Sequence, residues 1–443
     1  MSQSIIKKIK SENPAARKEF IVKSFTENYP ELIANDPGAW RGKFRKMASS
    51  AFAFFRGSAP LFYADVARDH DPFLNEKTSR VWIQGDLHAE NFGTYMNSAG
   101  YFVFDVNDFD ESYAAPFTWD VKRFCASLAL VGYQKALSDA DIKAIIAQGA
   151  RSYAQQISRF HAGLDKNFAL TLDTSKGKIL EVLKEARTRT RVGLLDNETD
   201  IKDGDRTFKL HKNAKAVSPA DEAKIKAALE EYYTSIPKHK QRTKITYNVK
   251  SIVRRSGLGI GSAGLTMFSV LIEGETQALE NDIILSLKVS QPSAAAKHIK
   301  DSSVKNYFKD EGQRTTISQR ALQAYADPFM GYTTYDGKGV YVAEVSPYVA
   351  DLEWDDINDM DDILEVVAEL GRCIAKIHCV SDEDSDQTLV DYSTEDAIHS
   401  VLDGKETEFV NYMVDFGENY AAVVREDHKL FVDAFRNHQI ANL

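Results

Sequence analysis

Residues 80–110 read RVWIQGDLHAENFGTYMNSAGYFVFDVNDFD. Two short apolar runs, VWIQ and YFVFDV, have the texture of strands and flank a loop crowded with polar groups, Gly85-Asp86-Leu87-His88-Ala89-Glu90-Asn91. Asn91 lies five residues after Asp86, and Asp105, at the end of the second run, nineteen after it. Transfer of a phosphoryl group needs one carboxylate to orient or deprotonate the acceptor. It also needs an amide oxygen and a second carboxylate to hold magnesium on the phosphates. Asp86, Asn91 and Asp105 supply these groups in that order. The competing reading has Asp86 and Asn91 merely capping turns between the strands, as short Asx side chains do.

A second constellation lies far downstream. Gly257, Gly259, Gly261, Ser262 and Gly264 form a glycine-rich turn between apolar segments, and Lys288 follows in the strand-like run ILSLKV. Such a turn lets backbone amides approach phosphates, and a lysine on the adjoining sheet adds a fixed positive charge. No GK[ST] follows, which excludes a Walker loop, and a strand rather than a helix follows, which argues against dinucleotide binding. Read alone, the glycines satisfy a tight hairpin and the lysine points to solvent.

Around these motifs the texture runs helical (14–53), mixed (80–110), helical (117–236), strand-rich (245–350) and helical again from 361. The shift at Pro237, into the basic run PKHKQRTK, marks a domain boundary, and that run reads as a solvated linker. The expected units are 1–236, an opening helical segment plus the loop-bearing part; 245–350, the nucleotide part; and 351–443, helices that complete the first.

GDLHAEN is similar to the protein-kinase catalytic loop HRDxxxxN, with His88 where many protein kinases have lysine. A conventional kinase places its glycine-rich loop and lysine before the catalytic loop; this chain places them after. A circular permutation accounts for the order, and nearby termini on a domain surface make such rewiring tolerable. The segment LGRCIAKIH, 370–378, resembles the helix that precedes the catalytic loop in aminoglycoside and choline kinases, yet nothing catalytic follows it here. The runs FRKMASSAFAFFRGSA, GDLHAENFG, FDVNDFDES, PFTWDVKRFCASLAL, GLGIGSAG, LSLKVSQPSA, EGQRTTISQRALQ and AELGRCIAKIH resemble successive motifs of the bacterial family called domain of unknown function 2252. That family is distantly similar to aminoglycoside-phosphotransferase-like kinases.

The resemblance implies an α+β, two-lobed, protein-kinase-like fold, circularly permuted. It implies Asp86 as catalytic base, Asn91 and Asp105 as magnesium ligands, and Asp108 as a further metal ligand or a loop cap. Asp120 becomes a brace beneath the loop, and Lys288 a phosphate contact whose partner on the following helix is Glu311, Gln313 or Arg314. Gln84 stands in place of the kinase-loop histidine and retains a donor amide. His378-Cys379 reads as a half-buried pair at a helix end, and Arg56 as a substrate contact or a core brace.

Composition agrees with a soluble globular protein: 43% apolar and 27% charged over 443 residues, enough for two or three folding units. Asp and Glu outnumber Lys and Arg by 65 to 55, which argues against broad nucleic-acid binding. Three cysteines without paired spacing support neither a disulfide framework nor a structural zinc. No apolar run reaches signal-peptide or membrane-spanning length, so a cytoplasmic location without a membrane partner is expected. The expected activity is ATP- and magnesium-dependent phosphotransfer to an unknown small-molecule acceptor. The alternatives are a non-catalytic nucleotide sensor, a metal-dependent phosphoesterase and nucleotidyl transfer.

Overall fold

A computed structural model of the chain describes residues 5–256, 263–381, 387–441 and 443. Its architecture is mixed α+β, with a helical body joined to a six-stranded antiparallel sheet. Gly257, Gly259, Gly261 and Ser262 lie outside the described residues.

The helical body is built around Phe117–Gln134, whose residues 117 to 132 are all buried. A helix apolar around most of its circumference has to be enclosed, and Asp139–His161, Met360–Cys379 and Glu406–Arg436 pack around it. Met360–Cys379 buries Ile363, Val366, Val367, Leu370, Cys373 and Ile374, an i, i+3, i+4 stripe, and starts where the Asp359 side chain accepts the Asp361 N–H. Gly371 permits its closest approach, since a Cβ there would lie 2.4 Å from the Gly149 carbonyl oxygen. Two hairpin-like elements sit on this body: β1 (Val81–Ile83) pairs with β4 (Tyr113–Ala115), and β2 (Phe92–Met96) with β3 (Phe102–Val106). A short strand, β5 (Leu170–Thr171), adds to β3.

The chain then forms a small hairpin, β6 (Thr199–Lys202) with β7 (Asp205–Phe208), before entering the sheet. The sheet comprises β8 (Ala214–Ala216), β9 (Val249–Arg255), β10 (Met267–Ile272), β11 (Ile283–Val289), β12 (Gly331–Tyr335) and β13 (Lys338–Glu344), in the spatial order β12-β13-β11-β10-β9-β8. Alternation along β11 sends Ile283, Leu285, Leu287 and Val289 into the hydrophobic cluster on one face. Ser286 and Lys288 are thereby turned to the opposite face. Helix Glu311–Leu322 lies against β13, with Gly312 so close that a Cβ would meet the Val340 backbone at 2.5 Å.

Two expectations are corrected. The sheet unit begins before Pro237: Leu195, Phe208, Ala214, Ile225, Tyr232 and Ile236 all belong to its hydrophobic clusters. Helix Pro219–Ser235 covers β12, so the composition shift at Pro237 marks a turn inside the unit and not its edge. The stretch 117–236 is likewise not helical throughout, since it contains β5 to β8. Among the described residues no helix is long and apolar enough to cross a membrane.

The opening segment is fastened to the far end of the chain. Arg17, in helix Pro14–Asn28, donates to Asp65 at 2.9 and 2.7 Å and to Asp427 at 3.0 and 2.7 Å, and Tyr420 Oη donates to Asp65 at 2.9 Å. All are buried, so the pair is most costly when only one partner is removed. Arg17→Met leaves Asp427 without its cation and is expected to destabilise the protein by about 3–5 kcal/mol in urea denaturation. A loss below about 1 kcal/mol would show that apolar packing alone holds the segment.

Candidate functional site

The loop after β1 is held from below by one carboxylate. Asp120, in the first turn of Phe117–Gln134, accepts the Gln84 N–H at 2.7 Å and the Gly85 N–H at 3.0 Å. His378 stands behind it, Nε2 3.4 Å from Asp120 and Nδ1 2.9 Å from the Tyr153 hydroxyl. Gly85 has φ +88°, and a Cβ there would fall 2.1 Å from the Glu111 carbonyl oxygen, so only glycine fits. Gln84 ties this loop to the next: its Oε1 accepts the Asp86 N–H at 2.8 Å, and its Nε2 donates to the carbonyls of Asn107 at 3.1 Å and Asp108 at 2.5 Å.

One turn beyond Asp120 the same helix supplies Arg123, whose Nε donates to Asp86 Oδ1 at 2.7 Å while its guanidinium lies over the Phe55 ring at 4.2 Å. Burial raises the Asp86 pKa even though Arg123 pulls it the other way. Asn91 donates from Nδ2 to the Asp86 carbonyl at 2.9 Å, and no donor among the described residues reaches its Oδ1. His88 is buried, accepts the Glu90 N–H on Nδ1 at 3.2 Å and packs edge-on to Phe52. Burial, then Arg56 and Arg123, lower its pKa well below the ordinary histidine value.

The three aspartates of FDVNDFD separate sharply. Asp105 lies within β3, opposite Gly93, almost wholly buried and ion-paired with Lys376 of helix Met360–Cys379. It lines neither of the cavities described below, and neither does Asn91, so of the three expected metal ligands only Asp108 lines them. The strand continues through Val106, and a group presented beyond its end has to come later. Asp108 does, in the left-handed region at φ 55°, with no hydrogen bond to its carboxylate among the described residues. Partial loss of hydration in the cleft and then Asp110 raise its pKa, although the residue itself remains exposed to solvent. Asp110 is the ion-pair partner of Lys288. Burial works against the charge on Lys288, but Asp110 and Asp108 outweigh it and raise its pKa.

Glu311 therefore does not partner Lys288; it pairs with Arg314 one turn on. Arg314 is buried and donates to the carbonyls of Ser112 at 2.6 Å, Asp110 at 2.8 Å and Gln291 at 2.8 Å, clamping helix, acidic loop and sheet exit together. Gln313 instead accepts the Lys309 N–H at 2.7 Å and donates to Tyr332 Oη at 3.1 Å.

Two cavities meet at these residues. The larger, about 590 Å³, is lined by Asp108, Asp110, Ser286, Lys288, Tyr341 and Tyr348 among others. The smaller, about 120 Å³, is lined by Lys43, Arg56, Asp86, His88 and Glu111, and again by Asp108, Asp110 and Lys288. Asp86, Asp108 and Lys288, drawn from distant parts of the sequence, thus share one small chamber. Glu111 accepts the Ala294 N–H at 2.6 Å, yet burial carries its pKa to about 7. Gly264, the described end of the glycine-rich turn, has φ +75° and abuts the Leu32 carbonyl and Trp40, which places it beside the smaller chamber. Of residues 140–235, Arg191 alone among the described residues lines either cavity; the opening helices line the smaller one.

Sequence reasoning passed over Arg123 and His378 as site residues. Arg123 carried a signal, its i, i+3 relation to Asp120, whereas His378 becomes a brace only through a contact across more than 250 residues. Among the described residues no three Asp, Glu, His or Cys side chains converge to hold a metal ion unaided. Magnesium bound with a nucleotide takes one or two carboxylates and completes its shell with phosphate and water, and the solvent-exposed carboxylate of Asp108, on the wall of both cavities, suits that demand.

No curated protein and no solved structure matches the chain. A family model described as an uncharacterised protein conserved in bacteria matches residues 35–434. The match covers most of the chain, which therefore belongs to that family, domain of unknown function 2252.

Proposed function

We propose that this chain is a magnesium-dependent phosphotransferase that uses ATP, with a protein-kinase-like arrangement whose motifs are circularly permuted along the sequence. The observation that carries the reading is the pair of cavities with one common wall, Asp108, Asp110 and Lys288, and with Asp86 beyond it in the smaller chamber. The larger cavity has the volume of a nucleotide site. Lys288 stands on β11, inside the strand order β12-β13-β11-β10-β9, with helix Glu311–Leu322 packed on the neighbouring β13. The permutation gains support from helix Met360–Cys379, which packs on β1 and braces Asp120 through His378 although the loop lies far earlier in the chain.

In this reading Lys288 contacts nucleotide phosphates, Asp108 with Asn91 holds magnesium, and Asp86 orients the acceptor hydroxyl. When bound, magnesium supplies charge neutralisation on the phosphates. Arg123 occupies Asp86 Oδ1 and leaves Oδ2 for the acceptor, which suits a loose transition state where orientation counts for more than base strength. Asp105 takes no part in metal binding here and acts through stability alone.

ATP with magnesium at about 100 times its dissociation constant is expected to stabilise the protein by about 2.7 kcal/mol in a thermal-shift titration, and Lys288→Met to reduce that shift. No shift with any nucleoside triphosphate at any magnesium concentration would sink the proposal. Turnover is then followed as ATP consumption across a metabolite screen. Asp86→Asn should lose about 10²- to 10⁴-fold in rate while binding ATP nearly as before. Tight ATP binding without turnover on any acceptor would favour the sensor reading.

Asp105 and Asp108 should part company. Asp108→Asn is expected to weaken magnesium-dependent ATP binding with little change in stability. Asp105→Asn strands Lys376 and should cost about 3–5 kcal/mol in denaturation while leaving the magnesium dependence unchanged. The opposite pattern would return the metal role to Asp105.

A further inference from the structure

The smaller chamber contains a cation without an ion-pair partner. Lys43 projects from helix Pro37–Met47 with its ammonium 4.6 Å from the Trp40 ring centre and 5.2 Å from that of Tyr29, and among the described residues no carboxylate lies within ion-pair distance. Three carboxylates of the chamber are already engaged, Asp86 by Arg123, Asp110 by Lys288 and Glu111 by the Ala294 N–H, and the fourth, Asp108, lies beyond ion-pair distance of Lys43. Arg56, at the end of helix Ala51–Arg56, reaches Glu90 through Nη1, but its Nε is buried without a hydrogen-bond partner among the described residues. Placing an unmatched ammonium and an unmet guanidinium N–H in one partly buried chamber has a cost that an arriving anion would offset.

We infer that the smaller chamber is an oxyanion site, in which Lys43 and Arg56 from the opening helices, facing Lys288 from the sheet, bind a phosphate-like group beside Asp86. The inference rests on the phosphotransferase reading for its place in the reaction, but not for its existence. At about 120 Å³, against about 590 Å³ for its neighbour, the chamber has room for an oxyanion such as phosphate. Two sources share this chemistry: the terminal phosphate of the nucleotide, and an anionic group carried by the acceptor. Either makes the opening helices part of the site, although they lie outside both chemical motifs.

The test uses the full chain and its Lys43→Met, Lys43→Arg and Arg56→Met variants, with folding checked by circular dichroism. Binding of MgATP, of MgADP, and of inorganic phosphate with and without MgADP is measured by calorimetry. Lys43→Met is expected to weaken at least one of these ligands about tenfold or more, with Lys43→Arg recovering part of the loss and Arg56→Met losing in the same direction. A loss for ATP but not ADP assigns the site to the terminal phosphate. A loss confined to inorganic phosphate assigns it to the acceptor, which is then an anionic metabolite. Phosphate binding that depends on Lys43 in a protein that binds no nucleotide would keep the oxyanion site and end the phosphotransferase reading. If Lys43→Met binds every ligand as the unmodified protein does, or the unmodified protein binds none, the inference is overturned and Lys43 is a packing cation on Trp40.

Discussion

Everything at the site hangs from the carboxylate of Asp120. Two consecutive backbone N–H groups, those of Gln84 and Gly85, turn toward it in a region from which water is excluded. Hydrogen bonds to a buried charge contribute about 1.5–3 kcal/mol each, and losing the acceptor would leave both amides unsatisfied. That grip forces the left-handed turn at Gly85, and the turn sets the direction in which Asp86 leaves the loop. Because Arg123 lies one helical turn from Asp120, the helix that fixes the loop backbone also fixes the Asp86 carboxylate. Loop and side chain therefore move as one rigid unit, and His378 with Tyr153 keeps that unit from tilting.

The sheet reaches the same point by a second clamp. Arg314 ties helix Glu311–Leu322 to the carbonyls of Asp110, Ser112 and Gln291, so the acidic loop cannot shift without the helix. Lys288 meets Asp110 across this junction. An ammonium has three donors, so it can keep Asp110 and still offer a proton to a phosphate oxygen. Asp110 thus preorganises Lys288 and spares it the cost of waiting unpaired in a low-dielectric cleft, while the net charge left for a ligand stays small.

The parts of the site written in local pattern were legible in the sequence: the strand–loop–strand around Asp86, the alternation that aims Lys288 away from the sheet core, and Asp120 beneath the loop. What failed needed register or long-range pairing. The spacing from Asp86 selected Asp105, but spacing counts residues and not strand direction; β3 extends one residue past Asp105 and turns its side chain onto Lys376. Glu311 was one of three candidate partners for Lys288, yet Arg314 is three residues away on the same helix and pairs with it locally. The boundary at Pro237 was misplaced because charge and turn residues mark exposure, whereas unit membership is set by where Ile225, Tyr232 and Ile236 bury their surface. Lys43 left no trace in the pattern at all, since a lysine on a helix normally faces water.

The distribution of unmatched charge gives the last step. The chain carries a net charge of −10, yet the carboxylates and cations within the cleft are largely matched, pair by pair. Asp108 on the common wall and Lys43 in the smaller chamber have no ion-pair partner among the described residues, and they are opposite in sign. A simple anion would meet Lys43 and repel Asp108; a simple cation would do the reverse. A divalent cation carried on phosphate oxygens answers both at once, metal toward the carboxylate and oxygen toward the ammonium. On the proposed reading this is how an acidic protein accepts a polyanion: the metal enters with it, and the opening helices provide cations, Lys43 and Arg56, that the two chemical motifs do not encode.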